Sequence, residues 1–413
     1  MVLRRLIHSL FAAGVVVLAG AAAAPSPDFS PGPLTRGEAD ARAAALTDLG
    51  RKMFFDQSLS ASGRMSCATC HDPAHAFGPP NALPVQTGGP LMDLPGVRAA
   101  PSLRYLQATP QFSEHFFDSD DEGDESLDNG PTGGLMWDGR ADQARDQARF
   151  PLLSPFEMAN TDATLVAAKL EGASYADDVR GIFGSTVFDN SAAAFDAALE
   201  ALAAFQESPA DFYPYSSKYD AYLAGKATLT EQEARGLRLF EAEDKGNCAS
   251  CHISAPANDG EPPQFTDFGL IALGVPRNPA IAANSDPKYF DLGLCGPLRS
   301  DFTGRAEYCG LFRTPSLRNA ALRQTFFHNG VFHTLRDAVA LYATRDTDPG
   351  RWYPKDAAGV VQKYNDLPRP YQANLNTDPP FGGKPGDKPP LTDAEIDDLV
   401  AFIGTLTDGY KAP

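Results

Sequence analysis

Two short segments carry the residues most able to do chemistry: Cys67, Cys70 and His71 in SCATCHD, and Cys248, Cys251 and His252 in NCASCHI. Cys-x-x-Cys-His is the attachment signature of c-type haem. The spacing has a physical reason. On one helical turn the two thiols reach the two vinyl-derived carbons of the macrocycle, and the adjacent imidazole lands under the iron. A redox Cys-x-x-Cys would leave both histidines unexplained, and a zinc site would need the two distant pairs to meet. Two copies in one chain favour two covalently bound haem c groups. Cys295 and Cys309 remain, and fit a disulfide closing the loop LCGPLRSDFTGRAEYCG. In an oxidising compartment a closure of about 15 residues contributes roughly 3 kcal/mol, the alternative being two free thiols.

The elements that must position these groups read as helices. LGRKMFF (Leu49 to Phe55) precedes the first motif and RGLRLFE (Arg235 to Glu241) the second, an internal repeat about 181 residues apart. Helix starts appear at Thr35 with Glu38, Thr230 with Glu233, and Thr392 with Glu395, each a Thr-x-x-Glu capping box. In the last helix Ile396, Leu399, Val400, Ile403 and Leu406 form one apolar face, expected to pack against a haem domain. Strand alternation is scarce, and Pro/Gly/Asp-rich stretches at 118–134, 254–304 and 376–390 read as loops. The expected fold is mainly α, two cytochrome-c-like haem domains with long loops and little sheet. The boundaries are a signal peptide over 1–24, an N-terminal domain over 25–215 and a C-terminal domain over 216–413.

Composition narrows the function class. The chain has 413 residues, 43% hydrophobic and 21% charged, enough for a sizeable core. Lys and Arg number 35 against 53 Asp and Glu, a net charge of −18 that argues against nucleic acid and anionic membranes as partners. Arg4 and Arg5, an apolar stretch from Leu10 to Leu18 and a small-residue run ending near Ala24 have the form of a secretory signal. An uncleaved anchor is the alternative, but the apolar core is short for a span, and no later run is long enough. The expectation is a periplasmic protein, exported through its signal peptide, with no membrane span after cleavage.

The segments SCATCHDP, APSL, WDGR, PLLSPFEM, KGNCASCH, FRTPSLRN, FFHNG and LYATRDTDP, spread from Leu49 to Leu406, together resemble the bacterial di-haem cytochrome c peroxidases and their MauG-type relatives. The resemblance implies an N-terminal haem that meets hydrogen peroxide, a C-terminal haem that exchanges electrons, and a tryptophan between them. Trp137 of WDGR matches that bridging indole; on its own it reads as an ordinary buried Trp followed by a turn. Glu157 of PFEM matches a distal carboxylate, which would carry a proton between the two peroxide oxygens. Gln147 matches a distal amide and Pro151 a pocket wall.

The axial ligands separate the branches of the resemblance. His71 and His252 are the proximal imidazoles. Peroxidases fed by small redox proteins commonly place Met on the second iron, but this chain has no Met after Met158. The matching residue is Tyr342, as in MauG-type proteins; its periodicity with Leu335, Ala338 and Val339 also fits a core tyrosine. A phenolate stabilises oxidised iron, whereas Met raises the potential. No second His lies between His75 and His115, so the sixth position of the first iron is expected to be open, with Met92 the alternative ligand. His75 reads as a loop or propionate contact, His115 as the border of the solvated acidic insertion DSDDEGDESLD. His328 matches a residue near the interdomain seam, with packing the default for it and for His333.

The calcium that the resemblance implies takes an Asn side chain before the Pro-Ser step, where this chain has Ala99 and Ala100. Only carbonyls, such as those of Arg323 and Thr325, would remain for it. Three functions compete. The first is a di-haem peroxidase reducing hydrogen peroxide with electrons from a small periplasmic donor protein. The second is a MauG-like oxidase modifying a Tyr or Trp of a protein substrate, and the third a non-enzymatic di-haem electron carrier. Donor oxidation ranks slightly first, because protein modification is a specialised use of the fold.

Overall fold

The computed structural model describes residues 32–117, 128–258 and 260–412. The signal peptide expected over 1–24 and nearly all of the acidic insertion lie outside the described residues. The fold is mainly helical, as the patterning predicts. Its first half contains α1 (Arg36–Phe55), a one-turn α2 (Cys67–Cys70), α3 (Ala144–Leu153), α4 (Ala163–Glu171), α5 (Ala176–Phe183), α6 (Ser191–Gln206) and a short α7 (Pro209–Phe212). Its second half contains α8 (Lys218–Leu223), α9 (Glu231–Glu241), α10 (Leu335–Thr344) and α11 (Asp393–Gly404). Among the described residues the sheet is confined to two antiparallel pairs of two-residue strands, β1 (Thr87–Gly88) with β2 (Leu94–Pro95) and β3 (Leu270–Ile271) with β4 (Phe312–Arg313). No helix among them is long and apolar enough to cross a membrane.

Each half is built around one close helix crossing. α1, α9 and α11 begin with the expected capping boxes, hydroxyl and carboxylate satisfying backbone N–H groups reciprocally at Thr35, Thr230 and Thr392. α1 lies against α6 and α9 against α11. The contact points are Gly50 and Gly236, at the same place in the two repeats. A Cβ on Gly50 would strike the Ala201 carbonyl, and one on Gly236 the Asp398 carbonyl, so only glycine permits the backbones to meet. Four residues further on, Phe54 and Phe240 are fully buried. Phe54 sits in an edge-to-face cluster with Phe77, Phe205 and Phe212. Phe240 meets Phe265 and Phe402 in the same manner. Ile396, Leu399, Ile403 and Leu406 are buried in this second core, and Val400 is half-buried at its edge.

A third, smaller core was not anticipated. Leu270, Leu294, Phe302, Tyr308 and Leu311 pack around the Cys295–Cys309 disulfide, with Phe112 of the first half against them. Arg299 spans Phe112 and Phe302, its guanidinium 3.9 and 4.6 Å from the two ring centroids. Ion pairs cross between the halves. Arg98 holds Asp291 through two hydrogen bonds of 2.6 and 2.8 Å and Asp138 at 2.7 Å. Arg104 reaches Asp408 at 2.8 Å, and the Tyr105 hydroxyl donates to the same carboxylate at 2.7 Å.

Candidate active site

The two Cys-x-x-Cys-His segments lie in equivalent settings. α2 supplies one α turn for the first, and a 3-10 turn over Cys248–Ser250 supplies the second; each is closed by the histidine N–H donating to the first cysteine carbonyl, at 2.9 and 2.8 Å. His71 Nδ1 is 3.0 Å from the Phe77 carbonyl and His252 Nδ1 is 2.8 Å from the Phe265 carbonyl. A carbonyl only accepts, so Nδ1 carries the hydrogen and Nε2 keeps its lone pair for a metal. Burial drives both imidazoles toward the neutral form, His71 down to about 4. Phe77 and Phe265 both have positive φ, 53° and 55°, which turns each carbonyl toward its imidazole.

Each motif opens on a cavity, about 570 Å³ at His71 and about 450 Å³ at His252, within the usual range for a cofactor site. The walls are mostly apolar, and the four cysteines, each half-buried, form part of them. Burial raises Cys67, Cys70 and Cys248 to about 12 and Cys251 to about 11. Arg313 borders both cavities with its guanidinium desolvated, pushed down to about 10, and with no carboxylate partner among the described residues. Paired thiols, a lone-pair nitrogen, an apolar slot and a spare buried cation for an acidic side arm together fit a haem c in each cavity.

Trp137 lines both cavities. Its Nε1 donates to the Ala99 carbonyl at 2.8 Å, and its own carbonyl accepts from Arg313 N at 2.8 Å. The next residue, Asp138, is fully buried and receives Arg98 and Arg140, each at 2.7 Å, while its carbonyl accepts from Arg299 at 2.9 Å. The disulfide-bearing loop and the seam therefore both grip the turn that carries the indole.

Gln147, Pro151 and Glu157 line the first cavity, in which, among the described residues, Glu157 is the only carboxylate and His71 the only imidazole. α3 brings Gln147 and Pro151; Glu157 follows its end, its N–H donating to the Ser154 carbonyl at 3.1 Å and its carbonyl accepting from Gly89. Desolvation raises the pKa of its carboxyl, with the Ser154 hydrogen bond and then the Arg140 charge opposing. The Gln147 amide points at Met136 Sδ, 3.3 Å away. Met92 does not reach this cavity; it packs on the outside of the first core. His75 pairs with Asp72 at 2.8 Å and His115 with Asp128 at 2.6 Å, both away from the cavities.

In the second cavity Tyr342 of α10 shares the wall with His252, and Leu335, Ala338 and Val339 line it from the same helix face. Among the described residues no methionine lines it. The phenol is held between Phe327 and Phe381, and burial raises its pKa. His328 also lines this cavity, stacked on Phe312 at 3.6 Å, whereas His333 does not. Sequence reasoning missed Arg313 and Arg98, whose partners lie far along the chain, and Arg140, whose partner Asp138 is only two residues away. It also missed a second internal repeat: Pro101-Ser102-Leu103-Arg104 and Pro315-Ser316-Leu317-Arg318 flank the two imidazoles, and Ser102 and Ser316 make matching bonds of 2.7 and 2.6 Å to Ala76 and Gln264 carbonyls.

A model of the di-haem cytochrome c peroxidase family matches residues 44–228. The methylamine utilization protein MauG of Paracoccus denitrificans is 35% identical over 392 residues, covering 89% of this chain and 90% of that protein. The cytochrome c551 peroxidase of Nitrosomonas europaea is 27% identical over 297 residues, 72% of each. The crystal structure of the diheme peroxidase BthA from Burkholderia thailandensis has a TM-score of 0.78 at 43% identity, covering 88% of this chain and 86% of that one. Two haem groups are what such relatives imply, and the paired cavities accommodate them. The chain belongs to the family of di-haem cytochrome c peroxidases and MauG-type oxidoreductases.

Proposed function

We propose that this enzyme is an exported, periplasmic di-haem peroxidase that reduces hydrogen peroxide to water with two electrons from a small redox protein. The observation that carries the reading is Trp137, the one indole bordering both cavities. Cys67 and Cys70 would hold one haem and Cys248 and Cys251 the other, with His71, His252 and Tyr342 as iron ligands. When bound, each haem supplies a redox-active Lewis acid. Glu157 takes a proton from the near peroxide oxygen and returns it to the far one, which makes that oxygen a water leaving group. Gln147 orients the peroxide beside it. Two further protons complete the second water. Trp137 divides a long electron transfer between the cavities into two short ones, its indole fixed by Ala99 and its turn by Asp138.

Tyr342 supports a second reading, a MauG-like oxidation of a Tyr or Trp on a protein substrate. Tyr342 lines the same cavity as His252, and no described methionine does; as a phenolate it would be a hard anionic ligand, which would favour oxidised iron over easy reduction by a donor. Electron paramagnetic resonance of the ferric holoprotein, with haem stoichiometry, tests both enzyme readings. Two haems per chain, one high-spin and one low-spin, are expected. Two low-spin centres inert to peroxide would instead make the protein an electron carrier.

A further inference from the structure

The segment after Val97 and the loop after FRTPSLRN meet at the seam between the halves, and a guanidinium lies at their meeting point. Arg323 Nε donates to the Thr325 carbonyl and Nη2 to the Ala100 carbonyl, both at 3.1 Å. Ala99 N donates to the His328 carbonyl at 2.7 Å, so the two segments are laced on either side of it. Arg323 is half-buried, and desolvation of its guanidinium pushes it down to about 10; no carboxylate offsets that among the described residues. It is still charged at neutral pH. A desolvated cation held by carbonyl dipoles, one from each half, is how a hard metal ion would be held, yet here the cation is a side chain. Its Nη1 lies 3.7 Å from where a Cβ on Gly78 would stand, next to Phe77, whose carbonyl accepts from His71.

The calcium implied by the family does not fit this seam. Its side-chain ligand is absent, because Ala99 and Ala100 precede Pro101. Of the carbonyls left for it, that of Thr325 is already taken by the guanidinium. No group of three or more His, Cys, Asp or Glu able to hold a metal occurs among the described residues.

We propose that Arg323 is the resident cation of the seam: it takes the place of a calcium ion, clamps the Ala99–Pro101 segment to the 323–328 loop, and sets a permanent positive charge beside the haem attached at Cys67. Arg323 is thus a positioning and electrostatic residue, and the enzyme needs no calcium. The test uses the holoprotein. Elemental analysis of protein grown and purified with calcium present, followed by EGTA dialysis, should find no stoichiometric calcium and leave the ferric haem spectrum unchanged. About one calcium per chain, removed by EGTA with a change in that spectrum, would overturn the proposal. The charge is tested by spectroelectrochemistry. Arg323→Met should lower the reduction potential of the haem at Cys67, because a nearby positive charge favours the reduced state, while Arg323→Lys should hold it near the wild-type value. Equal shifts in both variants, or none in Arg323→Met, would refute the charge. If Arg323→Met does not fold, a wild-type-like potential in Arg323→Lys supports the charge and a lowered one refutes it.

Discussion

Replacing Glu157 with Gln keeps the side chain's size and its place at the end of α3 but removes the acid/base. The first cavity contains no substitute. Four arginines, Arg98, Arg140, Arg149 and Arg313, border it, and its one imidazole, His71, already donates through Nδ1 to Phe77. Gln147 has no proton to exchange near neutrality. The loss should therefore be that of a full general acid/base, about 10²–10⁴-fold in the second-order rate with peroxide, or about 3–5 kcal/mol of barrier. Stopped-flow absorbance after mixing ferric protein with peroxide measures it directly. The pH profile gives a second reading with a definite sign. Desolvation raises the Glu157 carboxyl above its ordinary 4.5, and only the ionised form can accept the peroxide proton. The wild-type rate should fall on acidification, with a midpoint above 4.5, and Glu157→Gln should lack that limb. A variant rate within threefold of wild type, or an acid limb that survives the substitution, would refute the assignment.

Trp137→Phe keeps an apolar ring but is harder to oxidise; stopped-flow traces should show the first haem reacting normally and the second responding late, whereas simultaneous responses would remove the indole from the path. The variant also leaves the Ala99 carbonyl without its donor, which should cost about 1–3 kcal/mol in denaturant unfolding. Tyr342→Phe should turn the low-spin iron at His252 high-spin or aquo-ligated in the paramagnetic resonance spectrum, and an unchanged low-spin signal would assign the ligand elsewhere. Gly236→Ala puts a methyl group into the Asp398 carbonyl; overpacking should outweigh the gain of about 1 kcal/mol in helix propensity and lower unfolding stability by roughly 2 kcal/mol or more.

Local signals were legible wherever cause and effect lie within a few residues. The capping boxes at Thr35, Thr230 and Thr392 stand where the Thr-x-x-Glu pattern places them, since both partners belong to one helical turn. The stripe from Ile396 to Leu406 faces the second core for the same reason. The cavities were legible only through Cys-x-x-Cys-His and the family resemblance. The acceptors that fix the imidazoles are backbone carbonyls at Phe77 and Phe265, and a carbonyl leaves no mark on residue type. Gly50 and Gly236 stand in register in the quoted repeats, so that signal was readable; what hid its extent is that twelve residues separate Phe54 from Cys67 but only seven separate Phe240 from Cys248. Arg98 and Arg313 depend on groups tens to hundreds of residues away, as does the bond from Arg323 to Ala100, beyond any helical or strand period. The two-residue strands are too short to alternate.

The burial of the four thiols in their cavity walls has a consequence for biogenesis. Thioether formation needs each sulfur to reach a vinyl group, yet in the folded chain Cys67, Cys70, Cys248 and Cys251 are half-buried in apolar walls that raise them above the ordinary thiol range. The thiolate is the reactive form, so the folded chain favours the unreactive one at all four positions. Joining haem to the chain before the helix crossings at Gly50 and Gly236 close would present the sulfurs in water, where more of each is ionised. In that order the native fold would be the product of cofactor loading and not its substrate.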